Sequence, residues 1–356
     1  MNEQSPTTEN LLPVTVLTGF LGSGKTTVLN QVLPKPAMKG AAVIINEFGE
    51  IGLDHELIEQ SDEELVLISS GCVCCTVRGD LVSTLKILSE KSDRREIPAL
   101  SRVFLETTGL ADPAPVLHTL MNEPSVTARY RLDNVVATVD AVNGLATLDQ
   151  HPEAIKQVAV ADRLLLTKPD LATEDGLREL RARLTAINPG AAIRDVIRGE
   201  VDPSELTGSG LYDPEGKSDD VHAWLRAEKF EEQHQHEHGH HEHHPVDRNR
   251  HNDRIRAYCV TRDHPISSEG FSRWLAMVSA MRGDDLLRVK GILNIAEHPS
   301  RPMVIHGVQH IFHPPRILDR WPSGDHRTRI VFITRDIHKD EIDNTLSVFE
   351  RPRRKF

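Results

Sequence analysis

Residues 13–33 read PVTVLTGFLGSGKTTVLNQVL. A β-rich apolar run ends at Gly19, a glycine-rich turn follows, and KTTVLNQVL (25–33) has helical character up to the stop at PKP. Gly19, Gly24, Lys25 and Thr26 fit the pattern G-x-x-x-x-G-K-[ST], in the strand, turn and helix context that makes it a phosphate loop. The glycines, Gly22 among them, let backbone N–H groups approach phosphate oxygens, and the helix start adds partial positive charge. Ser23, Gly24, Lys25, Thr26 and Thr27 are therefore candidate phosphate contacts. Lys25 is expected to reach the β and γ oxygens and the Thr26 hydroxyl to hold Mg²⁺.

Outward from this stretch the pattern repeats. GAAVIINE (40–47), ELVLISS (64–70), RVFLETTG (102–109), NVVATVD (134–140) and RLLLTKPD (163–170) are short apolar runs bounded by turn signals. Helical patterns such as RGDLVSTLKILSEK (78–91) and EDGLRELRARLTAI (174–187) lie between them. Continuous apolar runs alternating with helices predict an α/β fold, a mostly parallel sheet covered by helices on both faces. This P-loop NTPase domain is expected over residues 1–208. Residues 209–254 form a turn-rich, then histidine-rich linker without hydrophobic periodicity. Residues 255–356 predict a small α+β domain: IRAYCVT, LLRVKGILNI, MVIHGVQHIF and RIVFITRD read as strands, with EGFSRWLAMVSAM and a segment from about Asp340 as helices.

A phosphate loop works with an acid at the end of a neighbouring strand. Glu106 in VFLETTG fills that place and would hold Mg²⁺ through water, while Gly109 N–H would sense a γ-phosphate. Thr167, Lys168 and Asp170 follow another apolar strand. A carboxylate at Asp170 would accept from guanine N1–H and N2–H and would face an acceptor on adenine, and the Lys168 stem would pack over the base. Guanine is the expected base, which argues against an ATP-using small-molecule kinase.

Three of the four cysteines fall in GCVCC, at Cys72, Cys74 and Cys75. Soft thiolates select Zn²⁺ and similar ions. The motif supplies two or three ligands where a structural zinc site takes four, and no second C-x-x-C lies nearby. An incomplete site loads and unloads, which suits transport; a redox pair or buried thiols are the alternatives. Glu47 and His118 are candidate completing donors. His234, His236, His238, His240, His241, His243 and His244 crowd HQHEHGHHEHH (234–244), where they would gather metal or serve as a solvated spacer. His306 and His310 would share a face of an extended strand, with His313 beyond; sheet residues are the plainer reading. Net charge is −11, which excludes a nucleic-acid footprint. No signal peptide and no run of eighteen apolar residues is visible, so no membrane contact and a cytoplasmic location are expected.

Taken in order, GFLGSGKTT, INEFGEIGLD, GCVCC, ETTGLADPAPV and TKPD resemble the CobW-type GTPases, which include zinc-regulated GTPase metalloprotein activators. LLRVKGILNI and VIHGVQHIFHPP look like the C-terminal domain of that family. The resemblance covers nearly the whole chain apart from the first ten residues and the linker. It implies hydrolysis of GTP coupled to delivery of Zn²⁺, or Co²⁺, to a client metalloprotein, with Cys72, Cys74 and Cys75 as metal ligands. Thr167 stands where related GTPases often have Asn. Asp54 and Glu47 are the nearby candidates for positioning the attacking water, and the sequence is silent on oligomeric state. A passive zinc buffer with structural nucleotide is the alternative from another class.

Overall fold

The computed structural model describes residues 11–46, 66–70, 77–208 and 254–350. They divide into two compact units, one built on a parallel and one on an antiparallel sheet. In the first unit the order is β1 (Leu12–Gly19), α1 (Lys25–Val32), β2 (Ala41–Asn46), β3 (Val66–Ser70), α2 (Val77–Asp93), β4 (Arg102–Glu106), α3 (Ala114–Asn122) and α4 (Pro124–Thr127). Then come β5 (Tyr130–Asp140), α5 (Gly144–Gln150), α6 (Pro152–Val160), β6 (Arg163–Thr167), α7 (Glu174–Ile187) and β7 (Ala192–Val196).

The described strands of this sheet run β3-β2-β4-β1-β5-β6-β7 and pair in parallel throughout. Interior strands are apolar on both faces because helices cover both: Val103, Phe104 and Leu105 are all fully buried. In α1, Val28, Leu29 and Val32 make the inward stripe and join Leu17, Val43 and Phe104 in one cluster. Burying a leucine such as Leu29 stabilises the unit by ~1.5–3 kcal/mol. The sequence patterns missed β7. Its residues AIRDV expose Arg194 and Asp195, as an edge strand does, so no apolar run marks it.

One placement matters most for the site. β4 is inserted between β2 and β1, so Glu106 stands level with Leu17, just before the phosphate loop. On the other flank Thr138 pairs with Gly19, and Thr167 pairs with Asp140. The carboxyl ends of β4, β1, β5 and β6 thus form one edge, where ligands of open α/β sheets bind.

The second unit runs β8 (Ile255–Arg262), α8 (Ser268–Arg282), β9 (Leu286–Leu293), β10 (Met303–Val308), β11 (Ile311–Phe312), β12 (Arg316–Ile317), β13 (Thr328–Arg335) and α9 (Lys339–Glu350). Its antiparallel sheet is ordered β11-β10-β9-β13-β8, with β12 also on β10. Phe271, Trp274 and Val278 of α8 and Ile342 and Leu346 of α9 pack on Tyr258, Val260, Ile305, Ile330 and Phe332. Ser267 caps α8 by accepting from Gly270 N at 3.1 Å.

Strand register sets a different row on the other sheet face: His306, Lys290, Val331 and Cys259 stand opposite one another in turn. Cys259 is a buried core residue, 2% exposed. His306 does not share a strand face with His310. β10 ends at Val308, Gln309 turns the chain with φ of 55°, and His310 is half exposed near Asp284. The turn brings His313 back instead, with its N–H donating to His306 O at 2.9 Å and ring centroids 5.8 Å apart. Burial, with Arg288, Lys290 and His313 nearby, pushes the His306 imidazole well below its ordinary range, and burial lowers His313 to about 4.

Both imidazoles are therefore neutral when folded and take up protons on unfolding below the free value near 6.5. Their stability is complete above that pH and is lost as pH falls from about 6.5 toward 4. For His313 alone the loss amounts to ~3 kcal/mol at the acid end. Urea unfolding of the second unit, followed at Trp274, is expected to weaken over that window, and a His306→Gln, His313→Gln double variant to flatten the slope. An unchanged slope would contradict the buried neutral pair.

Candidate functional site

The phosphate loop owes its shape to packing from below. Gly19 has φ of 137°, and a Cβ there would stand 2.3 Å from Thr138 Oγ1 and 2.5 Å from Thr138 O, so no side chain fits. The Ser23 and Thr138 hydroxyls share a hydrogen bond of 2.6 Å. Thr167 Oγ1 donates to Ser23 O at 2.8 Å and to Val139 O at 3.2 Å. Thr167 is 4% exposed, so its hydroxyl braces the loop from beneath. Gly24 turns the chain into α1 with φ of 92°, and Gly22 has φ of 70°.

Lys25 lies in the mouth of this loop. Its Nζ donates to Gly19 O at 2.9 Å and to Phe20 O at 3.3 Å, contacts that phosphate oxygens would compete for. Thr26 Oγ1 donates to Glu106 Oε1 at 3.1 Å, and Glu106 is 4% exposed. A hydroxyl and a carboxylate are thus brought together beside the loop, the two kinds of oxygen donor that a hard cation such as Mg²⁺ takes, directly or through water.

Lys168 sits in a left-handed conformation, φ 55° and ψ 34°. Its Nζ reaches over the loop to Gly22 O at 2.9 Å and pairs with Asp140 Oδ2 at 2.7 Å. Burial works to raise the Asp140 pKa, but hydrogen bonds from Lys168, Asn143 and the Val142 and Asn143 amides hold it below the ordinary carboxylate value. Asp140 was not among the sequence candidates. It ends an apolar strand just as Glu106 does, and that signal was present in NVVATVD. Asp170 follows on an exposed turn. The turn after β7 closes against α1, where a Cβ on Gly199 would meet Thr27 O at 2.6 Å.

Gly109 lies directly on the phosphate loop: a Cβ there would stand 2.6 Å from Leu21 N and 2.8 Å from Leu21 Cα. Gln157 of α6, absent from the sequence candidates, donates from Nε2 to Gly109 O at 3.1 Å and to Ala111 O at 3.0 Å. A buried amide on the apolar face of PEAIKQVAV was its only signal. Lys156 pairs with Asp112 at 2.6 Å. His151, at the start of α6, stacks on Phe20 with ring centroids 4.4 Å apart.

Cys72, Cys74, Cys75, Glu47, Asp54 and the histidines from His234 to His244 lie outside the described residues. His118 lies half-buried on α3. No group of three or more His, Cys, Asp or Glu fit to hold a metal occurs among the described residues. No described helix is long and apolar enough to cross a membrane.

The parallel sheet with a phosphate loop at its central strand, an acid at the adjacent strand end and a lysine clasp over the loop define a P-loop nucleotide-binding protein. Residues 13–195 match the CobW/HypB/UreG nucleotide-binding domain, and residues 255–350 match the cobalamin synthesis protein cobW C-terminal domain. The chain belongs to the CobW family. It is 34% identical to the zinc chaperone YjiA of Escherichia coli K12, over 94% of this chain and 97% of that protein. It is 28% identical to zinc-regulated GTPase metalloprotein activator 1 of Schizosaccharomyces pombe, over 92% of this chain and 83% of that one. The crystal structure of Zn(II)-bound YjiA GTPase from E. coli is similar with a TM-score of 0.70 at 28% identity, covering 96% of this chain and 100% of that chain.

The close approach of Gly109 to Leu21 generates a test. Gly109→Ala is expected to displace one loop from the other and lower affinity for a fluorescent GTP analogue by ~10-fold or more. Wild-type affinity in that variant, measured by titration, would contradict the packing.

Proposed function

We propose that this chain is a GTPase metallochaperone that converts GTP and water to GDP and phosphate and uses nucleotide state to carry Zn²⁺ to a client metalloprotein. The observation that carries this reading is the single edge at which Lys25, the Thr26–Glu106 pair and the Lys168 clasp meet. Lys25 exchanges its loop carbonyls for phosphate oxygens and balances their charge in the transition state. Thr26 would hold Mg²⁺ directly and Glu106 through water, and Mg²⁺ bound there would supply charge neutralisation at the phosphates. Gly109, which lies against Leu21 of the phosphate loop, senses the γ-phosphate through its N–H. Asp170 reads the guanine edge, and the Lys168 stem packs on its plane.

Thiolates at Cys72, Cys74 and Cys75 take Zn²⁺ as cargo, with Glu47 as a further ligand and the histidines of residues 234–244 as a collecting segment. These cysteines lie in sequence between the phosphate loop and Glu106, the region that γ-phosphate orders in switch proteins. Co²⁺ suits the same donors. In this reading residues 1–208 form the GTPase domain, 209–254 the linker and 255–356 the domain that meets the client.

Competition binding tests the base assignment: GDP is expected far ahead of ADP, and Asp170→Asn is expected to erode that preference by ~10-fold or more, the size of a lost charge-assisted pair. Equal binding of GDP and ADP would remove guanine from the account. Lys25→Ala is expected to abolish phosphate release with the fold intact by circular dichroism. Unchanged turnover at saturating GTP would refute the role of the phosphate loop.

A further inference from the structure

Helix α6 touches both segments that meet the phosphates. At its start His151 stacks on Phe20 of the phosphate loop. Within it, Lys156 and Gln157 engage the loop that follows Glu106, through Asp112 and through the carbonyls of Gly109 and Ala111. Gln157 is 1% exposed, among Ala154, Ile155 and Val158 on the buried side of the helix. A leucine would pack on that face without a desolvated amide. The amide's two hydrogens go to the loop, whereas its buried Oε1 finds no hydrogen-bond partner among the described residues. That oxygen belongs to a residue lining a cavity of about 250 Å³, which Phe20, Leu21, Thr138 and Asn143 also line. The contacts this amide makes among the described residues are thus those of its donor end.

The two accepting carbonyls bracket the residue that lies against Leu21. Pinning Gly109 O and Ala111 O fixes the peptides C-terminal to both residues. The Thr108–Gly109 peptide, which carries the N–H assigned to the γ-phosphate, is held at its own carbonyl by Ala111 N at 3.1 Å, so the Gln157 bonds fix the residues on either side of that short turn. GDP has no group at that place. We propose that Gln157 is a positioning residue for the γ-phosphate, holding the 109–111 loop so that α6 ties the phosphate loop and the γ-phosphate contact into one unit. This deepens the GTPase reading and rests on it.

The test is Gln157→Met, which keeps the volume and removes both donors. Affinities for GDP and a non-hydrolysable GTP analogue, kcat and KM, and the melting temperature are measured on the full chain with Mg²⁺. Expected is a roughly ten-fold fall in GTP-analogue affinity and in kcat, with GDP affinity within about two-fold, the effect of losing hydrogen bonds made to one ligand state only. Equal falls for both nucleotides, or a lowered melting temperature with unchanged kcat and selectivity, would overturn the proposal and leave Gln157 a packing residue. Should the variant not fold, hydrogen exchange of the wild type decides. Amides 108–112 are expected to be better protected with the GTP analogue than with GDP, and Lys156→Ala to shrink that difference; equal protection overturns the proposal. A wild type that binds neither nucleotide would sink the GTPase reading itself, an outcome distinct from a wild type that binds both while Gln157→Met keeps full discrimination.

Discussion

Thr138 and Thr167 brace the phosphate loop from beneath, and the rest of the site is placed by that brace. Thr138 leaves no room for a side chain at Gly19 and shares a hydrogen bond with Ser23, while Thr167 donates to Ser23 O. The loop backbone is therefore held at two points by strands β5 and β6, whose own positions are fixed by an apolar sheet buried on both faces. Lys25, Thr26 and Lys168 inherit their positions from it. Preorganised donors of this kind need no rearrangement when charge develops on a phosphate, which is why they are effective.

The second constraint is the insertion of β4 beside β1. It puts Glu106 at hydrogen-bond distance from Thr26 and sends the following residues across the loop at Leu21. The clasp from Lys168 to Gly22 O and Asp140 closes the other side. Residues from four adjacent strand ends thereby meet at one edge, and in the proposed reading they distinguish phosphate number, Mg²⁺ and base. A change at one of them has a short, packed route to the others, which is what coupling between nucleotide and a second ligand requires.

Much of this was legible in the sequence. The phosphate loop, Glu106 and the TKPD stretch are local patterns in which spacing alone carries chemistry, and apolar runs between helices were enough for the parallel sheet. What was not legible depended on long-range pairing. Asp140 becomes part of the site only because β5 and β6 pair in register, and Gln157 only because α6 packs against the loop after β4. Thr167, the first residue of TKPD, donates its hydroxyl to Ser23 O, 144 residues away in sequence, a brace that spacing does not reveal. His306 was matched with His310 by strand spacing, whereas the turn at Gln309 substitutes His313. β7 carries no apolar run because it is an edge.

The central claim is that nucleotide state sets metal affinity at Cys72, Cys74 and Cys75. The most direct measurement is a Co²⁺ titration of the full chain, read from thiolate-to-cobalt charge transfer in the near ultraviolet, with a non-hydrolysable GTP analogue and then with GDP. The account predicts one tight site per chain whose affinity differs between the two nucleotides by roughly five- to a hundred-fold, tighter with the GTP analogue, and whose band falls in Cys72→Ser and Cys74→Ser. Equal affinity with both nucleotides, or a band untouched by those substitutions, would contradict it.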